Sequence, residues 1–311
     1  MKITLTSHPF ADWFFPLVTI RALKIFRIAL GIVTLCAIGV WLPHLEAFFS
    51  SQGYVTASYI FDVTLYSHLS VFFLYDAPWF VYTVYGLMVL STFAMIFGIG
   101  GRLSAIFTYL LFISFASRFP LVFYGAIDAI HSFLFFNILH PADAYSPWGK
   151  GGIKERSRLV PAWSMRMVQL TLCLVYFYAA CQKIRVGTWW NGTEILNSLS
   201  TRFGAFNFYW LVKYPVIVNF MTYFSWFSEV SFPFLVFNPV TRRFALLMIV
   251  SMHIGIGLMM NASFFTPIML AGLACFIAPE DELRVAELWH KYTRRFGTGI
   301  QRSVAARRKT A

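Results

Sequence analysis

Apolar runs close to the thickness of a bilayer recur along the chain, and they constrain its fold more than any other feature. A helix of about 20 apolar residues spans the hydrocarbon core of a bilayer, whereas transmembrane strands would give shorter segments of alternating polarity. The sequence therefore predicts an all-α, polytopic membrane bundle of about eight transmembrane helices. The predicted spans are residues 22–42, 79–99, 103–117, 121–140, 166–183, 214–237, 244–260 and 264–279.

The composition excludes soluble folds. Hydrophobic residues make up 59% of the 311-residue chain and charged residues 12%, whereas charged residues form roughly a quarter of an ordinary soluble domain. So few charges cannot cover the surface of a soluble protein of this size. The net charge of +12 lies mainly between the apolar runs, where a lipid bilayer explains it, and no nucleic-acid partner is expected.

The positions of Lys and Arg predict the topology. Basic residues cluster before the first span, before the fifth, and between the sixth and seventh, whereas residues 43–77 contain none. Because basic loops stay in the cytoplasm, both termini are predicted to be cytoplasmic, with the long connections 43–77 and 184–213 outside. This topology leaves four basic residues near the outer face: Arg118, Arg185, Arg202 and Lys213.

The same pattern divides the chain into three segments. Residues 1–20 form an N-terminal cytoplasmic or interfacial segment, residues 21–279 the transmembrane domain, and residues 280–311 a basic cytoplasmic tail. In the tail, apolar side chains recur at helical spacing among Lys and Arg. This predicts an amphipathic helix on the anionic inner leaflet.

Five ionisable side chains fall within the predicted spans or at their ends. A charge inside a bilayer is costly, so each of them is a functional candidate by default. Two of them are three residues apart in the fourth span and therefore share one helix face. All five could line one polar pocket if the fourth to seventh spans bundle together. The candidates are Asp128, His131, Lys183, Glu229 and His253.

Each candidate also has a purely structural interpretation. Lys183 could extend to the outer interface, and Glu229 could pair with Lys183 or Arg102. The two histidines could hydrogen-bond to neighbouring helices, and the aspartate could cap or pair. No spacing of His, Cys or carboxylates typical of a metal site occurs in the sequence, so no metal is expected.

The end of the fifth span carries the most specific motif. YFYAACQK at 176–183 is followed by WWNG at 189–192, and together they resemble the signature of the HTTM (horizontally transferred transmembrane) family, which includes vitamin K-dependent γ-carboxylase. The resemblance extends over about residues 20–280. Further similar segments, in the order of the family, are RIALG at 27–31, GAIDAIHS at 125–132, the acidic position Glu229, and the segment that begins with MH at 252–253.

The resemblance implies catalytic roles for three candidates. Lys183 matches the carboxylase lysine that deprotonates a reduced vitamin K hydroquinone, and His131 and His253 match two carboxylase histidines. Glu229 and Asp128 would be supporting polar groups. The implied cofactor is therefore a reduced quinone such as vitamin K hydroquinone, with Lys183 as the general base.

The substrate implied by the resemblance is an exported peptide. Gln182 replaces the lysine that precedes the active lysine of the carboxylase, and this sequence ends soon after the eighth span, whereas the carboxylase has a large extramembrane domain. HTTM proteins of this size resemble the membrane subunit of the maturation pair of the sporulation-delaying toxin (sporulation-delaying protein B). That resemblance implies a partner maturation protein and the bacterial inner membrane as the location.

Two classes of function remain open from the sequence. The first is a carboxylase-like or peptide-maturation enzyme that acts on an exported peptide or a lipid quinone. The second is a non-catalytic membrane scaffold or export subunit, in which the polar groups only pair helices. A small transporter is disfavoured, because neither an inverted repeat nor a pair of broken helices is evident.

Overall fold

A computed structural model of the protein describes residues 9–63, 69–120, 125–147, 159–200, 206–260, 265–278 and 280–281. The chain divides into two compact units, residues 1–275 and 276–311, and the contacts described below lie within the first. The helices are α1 (Pro9–Phe14), α2 (Ile20–Gly39), α3 (Leu45–Phe49), α4 (Ala57–Val63), α5 (Pro78–Phe97), α6 (Arg102–Arg118), α7 (Gly125–Ile138), α8 (Trp163–Lys183), α9 (Gly187–Trp190), α10 (Glu194–Ser200), α11 (Pro215–Leu235), α12 (Arg242–Met259) and α13 (Phe265–Leu273).

A helix occupies each of the eight positions where the sequence predicts a span, which confirms the all-α interpretation. Among the described residues, four helical stretches are long and apolar enough to cross a membrane: Ile20–Phe49, Pro78–Phe97, Trp163–Lys183 and Arg242–Met259. Three of the other helices are shorter, with 17 residues in α6, 14 in α7 and 9 in α13. The predicted tail helix lies beyond Asp281, outside the described residues.

A short antiparallel ribbon joins the N-terminal segment to the connection before α8. Its strands are β1 (Leu17–Thr19) and β2 (Leu159–Pro161), and Val18 pairs with Val160. These strands were not expected from the sequence, because three residues are too few to show an alternating pattern. The ribbon holds the chain just before α2 beside the chain just before α8.

Arg27 ties α2 to two later segments. Its guanidinium is fully buried and donates hydrogen bonds to the carbonyls of Ile96, Ala144 and Ser146 at 3.3, 2.6 and 3.4 Å. Ile96 lies in the last turn of α5, where helix carbonyls lack intrahelical donors. The other two carbonyls belong to the 3-10 turn Ala142–Tyr145 and the residue after it.

Arg118, the last residue of α6, connects that helix to the segment between α2 and α5. We call the connection 43–77, which contains α3 and α4, the cap. Arg118 is fully buried, donates to the carbonyls of Ser50 and Val55 at 3.2 and 2.9 Å, and lies 3.7 Å from the Asp76 carboxylate. The cap therefore encloses this cation, one of the four that the predicted topology leaves near the outer face.

The antiparallel packing of α8 and α11 positions the candidate site. The indole Nε1 of Trp226 donates to the Ala180 carbonyl at 3.2 Å, and the rings of Phe232 and Tyr176 are 5.0 Å apart. Residue numbers therefore rise along α11 as they fall along α8. The short helices α9 and α10 pack against the first half of α11, where Tyr223 donates to the carbonyl at the end of α9 at 2.8 Å.

Candidate functional site

An ion pair joins Lys183, the last residue of α8, to Glu229 of α11. Lys183 Nζ lies 2.5 Å from Glu229 Oε2, and the side chains are only 20% and 9% exposed. Helical side chains lean toward the N-terminus of their helix, so Lys183 extends back into the bundle. Of the two partners considered for Glu229, the structure selects Lys183, because Arg102 donates instead to the His140 carbonyl at 2.9 Å.

Trp189 covers the Lys183 ammonium. Nζ lies 4.5 Å from the centre of the indole ring, within the range of a cation–π contact. Trp189 is held there by α9, which follows α8 through a turn in which the Val186 amide donates to the Lys183 carbonyl at 3.1 Å. A carboxylate and an aromatic ring thus hold the ammonium together.

A second polar pair lies deeper between α8 and α12. Tyr176 Oη and His253 Nε2 are 2.8 Å apart, and both side chains are fully buried. His253 Nδ1 has no hydrogen-bond partner among the described residues. The ring of Phe265 packs against the imidazole at 5.5 Å, and Thr266 donates to the His253 carbonyl at 3.0 Å. The imidazole is therefore fixed in orientation and retains one unused nitrogen.

The two pairs form one polar site, which we call the lysine site. Tyr176 and Lys183 are seven residues apart on α8, which is about two turns, so they share one helix face. Phe232, three residues after Glu229 on α11, packs its ring against that of Tyr176 at 5.0 Å, so the ion pair and Tyr176 lie along the same contact between α8 and α11. The structure therefore brings three of the sequence candidates together around a tyrosine.

The other two candidates lie in what we call the His131 site. His131 Nε2 is 3.2 Å from Tyr109 Oη on α6, and the two rings stack at 5.3 Å with an interplanar angle of 6°. Asp128 is exposed and lies one turn before His131 on α7. The described contacts of His131 and Asp128 involve α6 and α7 and do not connect them to the lysine site.

Three neighbours of the candidates were not identified from the sequence. Tyr176 had a usable signal, because a residue seven positions before Lys183 in a helix must share its face. Trp189 belongs to the WWNG motif, but no role follows from the motif alone. Tyr109 is one aromatic residue in an apolar run, and nothing in the sequence distinguishes it.

An apolar cavity of about 210 Å³ lies between α10, α11 and α12, and its lining includes residues close in sequence to Glu229 and His253. Ser225 lies one turn before Glu229 on α11, and Met252 directly precedes His253 on α12. Four methionines line it, which makes its wall adaptable in shape. They are Met221, Met252, Met259 and Met260.

The lysine site has side chains that are suited to proton transfer. Within the part of the chain that the structure describes, no group of three His, Cys, Asp or Glu side chains could hold a metal ion. The lysine site instead combines an amine, a carboxylate, a phenol and an imidazole next to apolar space. Such groups can remove a proton and stabilise the charge that remains.

The family model described as the HTTM domain matches residues 15–280. The match includes α2 to α13, the lysine site and the His131 site. No curated protein and no solved structure matches the chain significantly.

Proposed function

The chain belongs to the HTTM family, and from this premise we propose that it is a membrane enzyme in which Lys183 is the general base. The observation that supports this proposal best is the 2.5 Å contact between Lys183 Nζ and Glu229 Oε2 at a largely buried position. The proposed reaction is carboxylase-like and acts on an exported peptide or a lipid quinone. A partner maturation protein would present the peptide.

The proposed setting is the inner membrane of a bacterium, with eight spans and both termini in the cytoplasm. Helices at all eight predicted positions support the span count. The ribbon between β1 and β2 supports the orientation, because it joins the residues before α2 and α8, which the basic residues assign to the same side. Residues 1–20 would lie at the inner interface, 21–279 in the bilayer, and 280–311 along the inner leaflet.

Glu229 gives Lys183 a route to act as a base. An ammonium cannot accept a proton, so it must first give one away, and the Glu229 carboxylate is within hydrogen-bond distance to receive it. The transfer leaves a neutral amine beside a neutral acid. In a poorly solvated site this neutral pair avoids much of the desolvation penalty that an ion pair carries, and the amine can then take a proton from the substrate.

The two histidines would stabilise the negative charge that develops on the substrate. Tyr176 fixes His253, whose unused Nδ1 could donate to or accept from a bound group. Preorganised donors of this kind stabilise an anion at no reorganisation cost. His131, with Asp128 as its supporting carboxylate, would contact a different part of the substrate, because its described partners lie on α6 and α7.

The residues of the lysine site fit a reduced quinone such as vitamin K hydroquinone. Lys183 could remove a hydroxyl proton, Tyr176 could hydrogen-bond to an oxygen, and the methionine-lined cavity could take part of the apolar ring system. The bound cofactor would supply the reducing equivalents for oxygen chemistry. The chain itself would bind the cofactor, exclude water and hold the removed proton.

The second candidate function is a non-catalytic scaffold or export subunit of a peptide maturation complex. One observation favours it: Glu229 and Trp189 already engage the Lys183 ammonium. Such a contact pairs helices in many membrane proteins without any chemistry. Under this alternative, the charge of Lys183 matters and its ability to lose a proton does not.

Lys183→Arg separates the two functions, because the guanidinium stays charged and cannot act as a base. We expect Lys183→Arg and Lys183→Ala to lower maturation of the exported peptide substrate roughly 100- to 10,000-fold, the typical contribution of a general base. Mass spectrometry of the secreted peptide measures this. The matched control is Lys213→Arg at an exposed lysine. Normal maturation by a well-inserted Lys183→Arg protein would leave only the scaffold.

A further inference from the structure

An open groove of about 960 Å³ lies between the cap and α6. Its walls come from α4, from residues 69–74 and from residues 107–114 of α6. Large apolar side chains line it and are exposed: Phe61, Leu69, Leu74, Phe107 and Leu110. So large an exposed apolar surface marks a binding site for an apolar partner or a contact with the bilayer.

The polar groups of the groove are mostly bonded to the protein itself. Ser70 Oγ donates to the Ser114 carbonyl at 2.7 Å, and Ser114 Oγ donates to the Leu110 carbonyl at 3.0 Å. Tyr109 Oη is 3.2 Å from His131 Nε2. An extended peptide in this groove would leave backbone groups unsatisfied, which is costly away from water. A hydrocarbon chain needs no such partners.

One carboxylate in the groove differs from these paired groups. Asp62 of α4 lines the groove, is exposed, and has no hydrogen bond or ion pair with the residues that the structure describes. The whole cap, residues 43–77, contains no Lys or Arg. Arg118, which reaches the cap from α6, is buried against Asp76. Asp62 is thus the only charged residue in the described lining of the groove, and its carboxylate attracts an ammonium and repels an anion.

We propose that this groove binds one phospholipid with a primary amine in its headgroup, such as phosphatidylethanolamine. The acyl chains pack against Phe107 and Leu110 of α6. The ammonium of the headgroup pairs with the Asp62 carboxylate. The hydrocarbon covers a wall whose polar groups are mostly bonded to the protein, and the amine pairs with the Asp62 carboxylate, which has no partner among the described residues. Because Tyr109 lines the groove, the bound lipid also touches the residue that holds His131.

Native mass spectrometry of the full chain tests this proposal. The protein is released from nanodiscs of equimolar phosphatidylethanolamine and phosphatidylglycerol, and the retained lipids are counted. We expect one phosphatidylethanolamine per chain, retained several-fold over phosphatidylglycerol. Asp62→Asn should lower this preference about two- to fivefold, the range for an exposed ion pair. Glu46→Gln, at an exposed carboxylate of the cap outside the groove lining, should not change it.

A second pair of variants tests the place of binding. Leu110→Trp fills the groove and should abolish lipid retention, whereas Leu87→Trp on α5 should not; both leucines are about half exposed, at 50% and 52%. Thermal unfolding of each variant separates lost binding from lost folding. Equal retention of both lipids, an unchanged preference in Asp62→Asn, or a partner helix found in the groove instead of lipid would overturn the proposal. Lys183→Arg should retain the lipid normally, so this result is independent of the proposed catalysis.

Discussion

The lysine site and the His131 site both contain a tyrosine hydrogen-bonded to a histidine on a neighbouring helix, but their surroundings differ. Tyr176 and His253 are fully buried and lie next to an ion pair, whereas Tyr109 and His131 are half-buried and lie beside an exposed carboxylate. Burial raises the cost of any unsatisfied polar group. The same two residue types thus form a fixed internal site in one case and an adaptable peripheral contact in the other.

The largest effect that distinguishes the sites is expected at the ion pair. Glu229→Gln leaves the Lys183 ammonium largely buried without a counter-charge, which should lower the free energy of unfolding by up to about 3 kcal/mol and abolish peptide maturation. Replacing both residues by methionine removes both charges and should restore stability, but not maturation. Thermal unfolding and mass spectrometry of the secreted peptide measure the two effects. A double variant that matures the peptide would show that the pair is only structural.

A smaller difference is expected between the two histidines. His253→Gln should lower maturation about 100-fold, as the loss of one preorganised donor does in other enzymes. His131→Gln should lower it about fivefold to tenfold, the value of one hydrogen bond that orients a substrate. Initial rates of peptide maturation, normalised to the amount of inserted protein, give both numbers. If His131→Gln lowered maturation more than His253→Gln, the reacting centre would lie in the His131 site instead.

The smallest difference concerns stability and compares the two tyrosines. Tyr176→Phe leaves His253 Nε2 buried without a partner, so the free energy of unfolding should fall by about 1–3 kcal/mol. Tyr109→Phe should cost less than about 1 kcal/mol, because a half-buried imidazole can find another partner. Denaturant unfolding in detergent micelles gives both values. Equal losses would mean that burial does not separate the two sites.

The positions of the long helices follow from the sequence because hydrophobic length and helix length are linked in a bilayer. Apolar runs correctly predicted where α2, α5 and α8 lie. They overestimated α13, because apolar residues continue beyond its last residue through the 3-10 segment Ala274–Phe276. The ribbon of β1 and β2 has too few residues to leave a pattern.

The candidate site was only partly predictable, since spacing along one helix does not reveal which helices are neighbours. Asp128 and His131 share a face by spacing alone, as expected. That Glu229 meets Lys183 rather than Arg102 depends on the antiparallel contact of α8 with α11. The His131 contact with Tyr109 likewise depends on the packing of α6 against α7, which no motif encodes.

The hydrogen bonds of Arg27 have a consequence for biogenesis. The three carbonyls that receive its guanidinium, those of Ile96, Ala144 and Ser146, are synthesised 69 to 119 residues after it. Until residue 146 has been made, the Arg27 guanidinium on α2 lacks at least one of the acceptors that it has in the folded protein. We therefore expect α2 to keep this charge in water or among lipid phosphates until residue 146 has been synthesised, and to reach its final depth only afterwards.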